Sequence, residues 1–436
     1  MKRYETYKPS GIEWLGEIPG HWEVKRVKDC SQINQLALSD KTAIDYQFKY
    51  IDIGNVNHNG IVQEPELISF EEAPSRARRI IRENDVIVST VRTYLKAIAF
   101  INFNPKDYIV STGFAVLSHF SMVNPRFLSY HSQSENFIDN VIRFSTGVSY
   151  PAINSQVISA LHIIFPSFSD QTAIANYLDT KTAAIDRKIE LLTTKADKYK
   201  ALRRTLINET VCRGLNPNAQ LKHSGVKWIG MIPEHWEVKR VKDQLELLTG
   251  NSISDKTDYE DSNNSIPYVA TKDIEINSCK IDYENGIYIP KDELKNFRTI
   301  NFESILLCIE GGSAGKKIAF NTRKICFVNK LCSFSSKGKA VYLKYNFYQM
   351  QSAPWLFQFN QVLNGLIGGV STSLLKTFRL IAPPIEEQQE IAAYLDEKTT
   401  QIDTILTNIG EQINKLTQLR KTLINDVVTG QLKVTE

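Results

Sequence analysis

The nine residues HWEVKRVKD, His21 to Asp29, return without change from His235 to Asp243. Extended backwards, the match reads SGIEWLGEIPGHWEVKRVKD from Ser10 and SGVKWIGMIPEHWEVKRVKD from Ser224. A second pair follows at nearly the same spacing: DQTAIANYLDTKTAAID from Asp170 and EQQEIAAYLDEKTTQID from Glu387, then LRRTLINETV from Leu202 and LRKTLINDVV from Leu419. The chain is therefore a tandem duplication. Each copy has a leading segment (10–29 and 224–243), a divergent stretch and a shared tail. A period above 200 residues lies far outside the range of solenoid repeats, so each copy reads as a domain with an appendage.

The shared tails have the grammar of long helices. Leu178, Ile185, Leu192, Tyr199 and Leu206 fall every seven residues in the first, and Leu395, Ile402, Ile409, Leu416 and Leu423 in the second. Ile189, Ala196, Leu406 and Ile413 add positions four further on, which completes the apolar seam of a coiled coil. Neither tail contains proline, and Gly410 costs only about 1 kcal/mol relative to alanine. The pattern predicts helices over 170–214 and 387–430, each roughly 60 Å long at 1.5 Å per residue. A stripe this long needs an apolar partner. The duplicate tail supplies one within the same chain, packed antiparallel, so that the divergent regions stand at opposite ends of a spacer. Pairing between two chains is the other arrangement open to it.

The divergent stretches carry short β-branched runs bounded by Gly, Asn and Asp, which are strand signals. They include YIDIGNV from Tyr50, NDVIVSTV from Asn84 and KAIAFINF from Lys96, then YVATKDI from Tyr268, SILLCIEGG from Ser304 and KKIAFN from Lys316. The apolar frame is common to both copies. The loop before the third run is not: STVRTYL in one, IEGGSAG in the other. The expected fold is α+β, with two similar strand-rich α/β domains, 1–169 and 224–386, separated by two long antiparallel coiled-coil helices in a pseudo-twofold arrangement.

Composition narrows the function without naming it. A length of 436 residues suits two or three domains. The 52 basic and 48 acidic residues are too evenly matched to announce a nucleic-acid binder by net charge. The start of the chain, MKRYETYKPSG, lacks the apolar core of a signal peptide, and no window reaches the ~20 apolar residues of a membrane span. Cys30, Cys212, Cys279, Cys308, Cys326 and Cys332 have no paired C-x-x-C spacing, which points to buried free thiols and a cytoplasmic setting.

No catalytic constellation stands out. GGSAGKK, Gly311 to Lys317, has three residues between its outer glycines and Lys317 after the first lysine; a phosphate-binding loop needs four and a Ser or Thr. Glu23-Val-Lys25 and Glu237-Val-Lys239 lack the preceding Asp of a nuclease site, and APPIEE from Ala382 lacks the Asn/Asp start and aromatic end of an amino-methyltransferase signature. The seven histidines do not cluster at metal-ligand spacings. These residues describe a binding protein, with a structural scaffold as the alternative.

Taken together, SGxxWxGxIPxHWEVKRVKD, a variable domain, a Pro-to-Gln lead into I-A-x-Y-L-D-x-K-T-x-x-I-D, and LRxTLIN, twice over, resemble the specificity subunits of type I restriction-modification systems. The form PPIEEQQEIAAYLDEKTTQID, Pro383 to Asp403, carries the likeness best; the first copy departs from it with Pro166-Ser-Phe-Ser-Asp-Gln171. The resemblance implies a non-catalytic subunit whose two variable regions each read one half of a bipartite site in double-stranded DNA. It further implies that the helices set the gap and dock two methyltransferase subunits, with two ATP-dependent restriction subunits joining them. Cofactors are then expected only in those partners: S-adenosylmethionine, and ATP with magnesium.

Within the domains, residue type and loop position select candidates for DNA contact. Arg76, Arg78 and Arg79 suit phosphate, since phosphate contacts position and base contacts specify. Ser89, Thr90, Arg92 and Tyr94 lie in the divergent loop, where arginine can pair with guanine in bidentate fashion. Gly311, Gly312 and Ser313 allow close approach of backbone to DNA, with Lys316 and Lys317 beside them. Thr271, Lys272, Asn329 and Lys330 stand at strand edges. Lys96 and Lys316, present in both copies, suit the common phosphate backbone. HWEVKRVKD itself, unchanged where the loops diverge, is expected to anchor each domain to its helix; contact of its lysines and arginine with a modification subunit or with DNA phosphate is the other role open to it.

Overall fold

The computed structural model describes residues 3–57, 60–253, 259–301, 303–363 and 368–434. The chain divides into two compact units, Met1–Leu192 with Glu411–Glu436, and Thr193–Gly410. The division falls inside the two long helices, Phe168–Arg213 and Ile385–Val428. Each unit thus owns one domain, the first part of one helix and the last part of the other.

In the first unit, Val86–Ser89 lies inside a four-stranded antiparallel sheet with Ile98–Phe100, Phe114–His119 and Ser31–Ile33. All four of its residues are buried, because both faces of the sheet are covered. The two-residue period of a strand sends Val86 and Val88 into a core shared with Phe137, Ile138 and Val141 of the helix Glu135–Arg143. Ile87 faces the other way, into a core with Ile51 and Val110. Those two residues belong to a second four-stranded sheet, in which Gln47–Ile51 and Tyr108–Ser111 run parallel. In the run YIDIGNV the strand stops at Ile51, because the Asp52 carboxylate caps a 3-10 turn over Ile53–Asn55, and a second short strand begins at Val56.

The second unit repeats this plan. Ser304–Cys308 is central, with Ile305 and Leu307 in one core and Leu306 and Cys308 in another. The parallel pair is formed by Ser265–Val269 and Ile325–Phe327.

Within each unit the two helix segments run antiparallel. In the first, Ile174 and Leu178, near the start of one helix, share a core with Leu423, Ile424 and Val427, near the end of the other. In the second, Ile391 and Leu395 share a core with Ile207 and Val211. Of the heptad residues, Leu178, Leu395, Ile402, Ile409 and Leu423 are buried, and Ile185, Leu192, Tyr199, Leu206 and Leu416 are half-buried. An arginine of LRxTLIN meets the aspartate of the opposite I-D in both units: Arg420 Nε lies 2.9 Å from Asp186 Oδ1, and Arg203 Nε 3.4 Å from Asp403 Oδ1. The pairing is intramolecular, and the repeated polar residues of the tails fix its register.

Candidate nucleic-acid interface

The repeated segments hold each domain to its helix. The strands Glu23–Arg26 and Glu237–Arg240 pair with His162–Phe165 and Arg379–Ala382, the last strands before the helices. Trp22 and Trp236 are fully buried. A Cβ on Gly430 would lie 2.7 Å from Trp22 Cζ3, and one on Gly214 3.1 Å from Trp236 Cζ2, so each indole closes over the glycine that follows a helix. Both glycines have φ +76°, a left-handed stop that other residues adopt only at a cost. The repeated glutamines are equally structural. Gln171 accepts from Asn124 N at 2.8 Å and donates to Pro166 O at 3.0 Å; Gln388 accepts from Tyr342 N at 2.9 Å and donates to Pro383 O at 2.8 Å. About two turns further along each helix, Tyr130 donates to Asp179 at 2.8 Å, and Tyr348 bonds Asp396 in the same way.

Away from these anchors, each domain presents a two-segment tip. In the first, Ser89 N donates to Ala97 O at 2.9 Å and closes the turn 90–96, while Ile153 N donates to Thr90 O at 2.8 Å and brings in the segment 144–152. Cys308 N to Lys317 O at 2.9 Å and Val370 N to Ile309 O at 2.8 Å are the same two bonds in the second domain. Isolated bridges complete the likeness, Val91 with Ala152 and Glu310 with Gly369.

The two tips differ in chemistry. In the first, Arg92 and Tyr94 are exposed and Lys96 is half-buried. The Arg92 guanidinium sits 5.1 Å from the centre of the Tyr150 ring. Phe144, Val148 and Tyr150 of the second segment are exposed beside it, so the tip joins cations to aromatic and aliphatic faces. Nothing in the charge pattern singles out 144–152, and Phe144, Val148 and Tyr150 read in the sequence as core residues; Gly147 and Pro151 mark only a loop. Arg92 and Lys96 both have left-handed backbones, φ +49° and +53°. The second tip gives those conformations to Gly311 and Gly315, at φ +86° and +73°. Gly315 is also required for space, since a Cβ there would lie 2.7 Å from the Phe359 ring.

The remaining sequence candidates are spread more widely. Ser89 and Thr90 are buried, their hydroxyls donating to Val91 O at 2.6 Å and Gly113 O at 2.9 Å, so they shape the turn. Arg76, Arg78 and Arg79 lie on or beside the strand Ala77–Ile80, in the sheet that does not carry the tip. Arg76 bonds Tyr50 at 3.2 Å and Asp52 at 2.6 Å, and both partners raise its pKa. Arg78 lies 4.6 Å over the Phe70 ring, and burial lowers the pKa of Arg79. In the second domain Gly312 and Lys316 are exposed at the tip, Ser313 is half-buried, and Asn329 and Lys330 are exposed on the turn beside Ile309. Lys316 Nζ donates to Gly312 O at 3.3 Å and Lys317 Nζ to Thr271 O at 2.7 Å. Lys272 pairs with Asp273 at 3.6 Å. The structure therefore gathers Arg92, Tyr94 and Lys96 at one tip, and Gly311, Gly312, Ser313, Lys316 and Lys330 at the other. Among the described residues no group of histidine, cysteine and carboxylate side chains is placed to hold a metal ion, and no helix is long and apolar enough to cross a membrane.

Comparison with known proteins gives a consistent likeness. The family described as type I restriction modification DNA specificity domain matches residues 19–197 and, separately, 233–415. The type I restriction enzyme MjaVIII specificity subunit of Methanocaldococcus jannaschii is 21% identical over 433 residues, covering 96% of this chain and 94% of its own. The StySPI specificity subunit of Salmonella potsdam is 18% identical, with 96% and 90% covered. A chain from a structural study of complex assembly and conformational transition of a type I R-M system superposes with a TM-score of 0.73, at 21% identity, over 95% of this chain and 99% of that one. The HsdS subunit from Thermoanaerobacter tengcongensis gives 0.50, also at 21% identity, over 95% and 98%.

Proposed function

Because the chain belongs to the family of type I restriction modification DNA specificity domains, we propose that its two tips each read one half of an asymmetric bipartite DNA site. The chain is the sequence-recognition subunit of its system, and it is not itself an enzyme. One observation carries the division of labour: the same two backbone hydrogen bonds frame a tip in each domain, and the side chains on the two tips are different. An equal scaffold with unequal reading surfaces calls for two half-sites of unequal sequence. The bare-scaffold alternative leaves the exposed Arg92, Tyr94 and Tyr150 without a purpose.

The paired helices separate the half-sites, which for two surfaces on the same side of the duplex lie about one helical turn, ~34–36 Å, apart or multiples of it. They also dock two methyltransferase subunits, whose S-adenosylmethionine does the chemistry, and two restriction subunits using ATP with magnesium complete the assembly in the cytoplasm. In support, Leu191, Leu202 and Leu419 are exposed on otherwise polar helix faces. Copurification with the modification subunit, followed by methylome sequencing of a host with and without this chain, is the test. A two-part motif with unlike halves is expected. A symmetric motif, or no methylation that depends on this chain, would overturn the proposal, as would DNA affinity insensitive to salt.

A further inference from the structure

We propose that Glu310 reads a base in the second half-site, accepting a hydrogen bond from the exocyclic amino group of a cytosine, or of an adenine, in the major groove. The inference rests on the DNA-reading role of the second tip and adds the residue and the chemistry.

Glu310 is exposed on that tip, one residue before Gly311, at the place that Val91 holds before Arg92. Its backbone is held on several sides. The Cys308 thiol donates to Glu310 O at 3.3 Å, Ile309 N donates to Lys330 O at 2.9 Å, and Glu310 itself bridges to Gly369. The side chain lies along the Gly369 backbone, where an added Cβ would come within 3.3 Å of Glu310 Cγ. The stem of the glutamate is thus in close contact with this glycine.

The carboxylate is also unspent. Among the described residues no lysine, arginine or histidine forms an ion pair with it, although Lys316, Lys317 and Lys330 are close in sequence or on the same tip. Two of these lysines are turned to carbonyls, Lys316 to Gly312 O and Lys317 to Thr271 O. Glu310 borders a recess of about 440 Å³ lined, among the described residues, by Thr249, Ile309, Gly369, Val370, Ser371 and Thr372, and the Arg298 guanidinium beside it is spent on Thr249, donating to its O and Oγ1 at 3.1 Å. A free carboxylate on a DNA-binding surface is repelled by every phosphate it meets. It is tolerated, and selective, where it faces the one class of donor that base edges offer in the major groove, the amino groups of cytosine N4 and adenine N6. The first tip offers the opposite preference, since Arg92 suits the acceptors of guanine.

The test uses the assembled complex with its modification subunit and three chains: wild type, Glu310→Gln and Glu310→Ala. Methylome sequencing is expected to show one position of the second half-site, an amino-bearing base, becoming degenerate in both variants while the first half-site is read as before. That unchanged half also reports that each variant is folded and assembled. In binding assays, duplexes carrying pyrimidin-2-one for cytosine, or purine for adenine, at that position should weaken wild-type binding roughly ten- to a hundredfold and leave Glu310→Ala binding almost unaffected; which analogue does so identifies the base. An unchanged motif in both variants overturns the proposal, and so does uniformly tighter binding to every sequence, the mark of a carboxylate facing phosphate. A wild-type complex with no motif at all would overturn the underlying reading of the tips instead.

Discussion

Trp236 donates its indole N–H to Glu387 Oε2 at 3.0 Å, and the other oxygen of that carboxylate lies 2.6 Å from His235 Nε2. The repeated His-Trp pair thereby grips the first turn of the second long helix, where a carboxylate is also favoured by the helix dipole. The first copy replaces this glutamate by Asp170, which reaches His21 at 3.3 Å but leaves the buried Trp22 Nε1 without a partner among the described residues. One methylene separates the two arrangements.

The first prediction follows from that methylene. Asp170→Glu should stabilise the first unit by about 1 kcal/mol, the net value of a hydrogen bond made to a buried donor. Glu387→Ala should destabilise the second by about 1–3 kcal/mol, by orphaning Trp236 Nε1. Urea unfolding monitored by tryptophan fluorescence measures both; a lower midpoint for Asp170→Glu would refute the account of Trp22.

The duplication, the long helices and the central strands were legible in the sequence because each is a periodic or repeated signal. The heptad from Leu178 to Leu206 and the buried run Val86 to Ser89 report their own local geometry. What was not legible depends on residues far apart in the chain. The division of the units inside the helices rests on pairs such as Arg420 with Asp186. Arg76, Arg78 and Arg79 suit phosphate by residue type, but that their strand sets Arg78 over Phe70 and Arg76 beside Asp52 is not announced by the run of charges itself. The segment 144–152 carries exposed apolar side chains, which sequence patterning assigns to cores.

A second prediction concerns pH. His131 is fully buried, accepts from Ile164 N at 3.1 Å through Nε2, and has its pKa lowered by burial to about 4. Protonation would cost both the desolvation and that hydrogen bond. With an ordinary value of 6.5 when unfolded, the site favours the folded state fully above pH ~6.5, and that contribution, about 3 kcal/mol, is lost as pH falls towards ~4. His131→Gln, the residue the second copy carries at Gln349, should flatten the decline. Unfolding midpoints across that pH range check it; equal slopes for the two proteins would contradict the assignment.

The helix seam gives a third. Ile409 is 4% exposed, so Ile409→Asp places an unpaired charge in an apolar contact and should cost several kcal/mol. Leu192→Asp, at a half-buried position, should cost less. Both should reduce copurification with the modification subunit. Thermal denaturation ranks the two variants, and an equal or reversed ranking would show that burial along the seam does not set the cost.

The last prediction sets stability against function at the first tip. Arg92 and Lys96 hold left-handed backbones, at φ +49° and +53°, a conformation that costs a residue with a Cβ roughly 1–2 kcal/mol. The second domain gives the same conformations to glycines, so the strain is not a requirement of the scaffold. On the proposed DNA-reading role of this tip, the first domain carries the strain for the sake of the two side chains. Arg92 also stacks on Tyr150, which returns part of the cost, so Lys96→Gly should stabilise more than Arg92→Gly, each by up to about 1 kcal/mol. Both should weaken DNA binding. Loss of Lys96 should act uniformly on all sequences and lower the salt slope by about one, whereas loss of Arg92 should relax one base of the first half-site and leave the second intact. Calorimetry and methylome sequencing of the two variants separate these effects. A glycine variant that is more stable and binds DNA as tightly as the wild type would show that the strain serves no purpose in recognition.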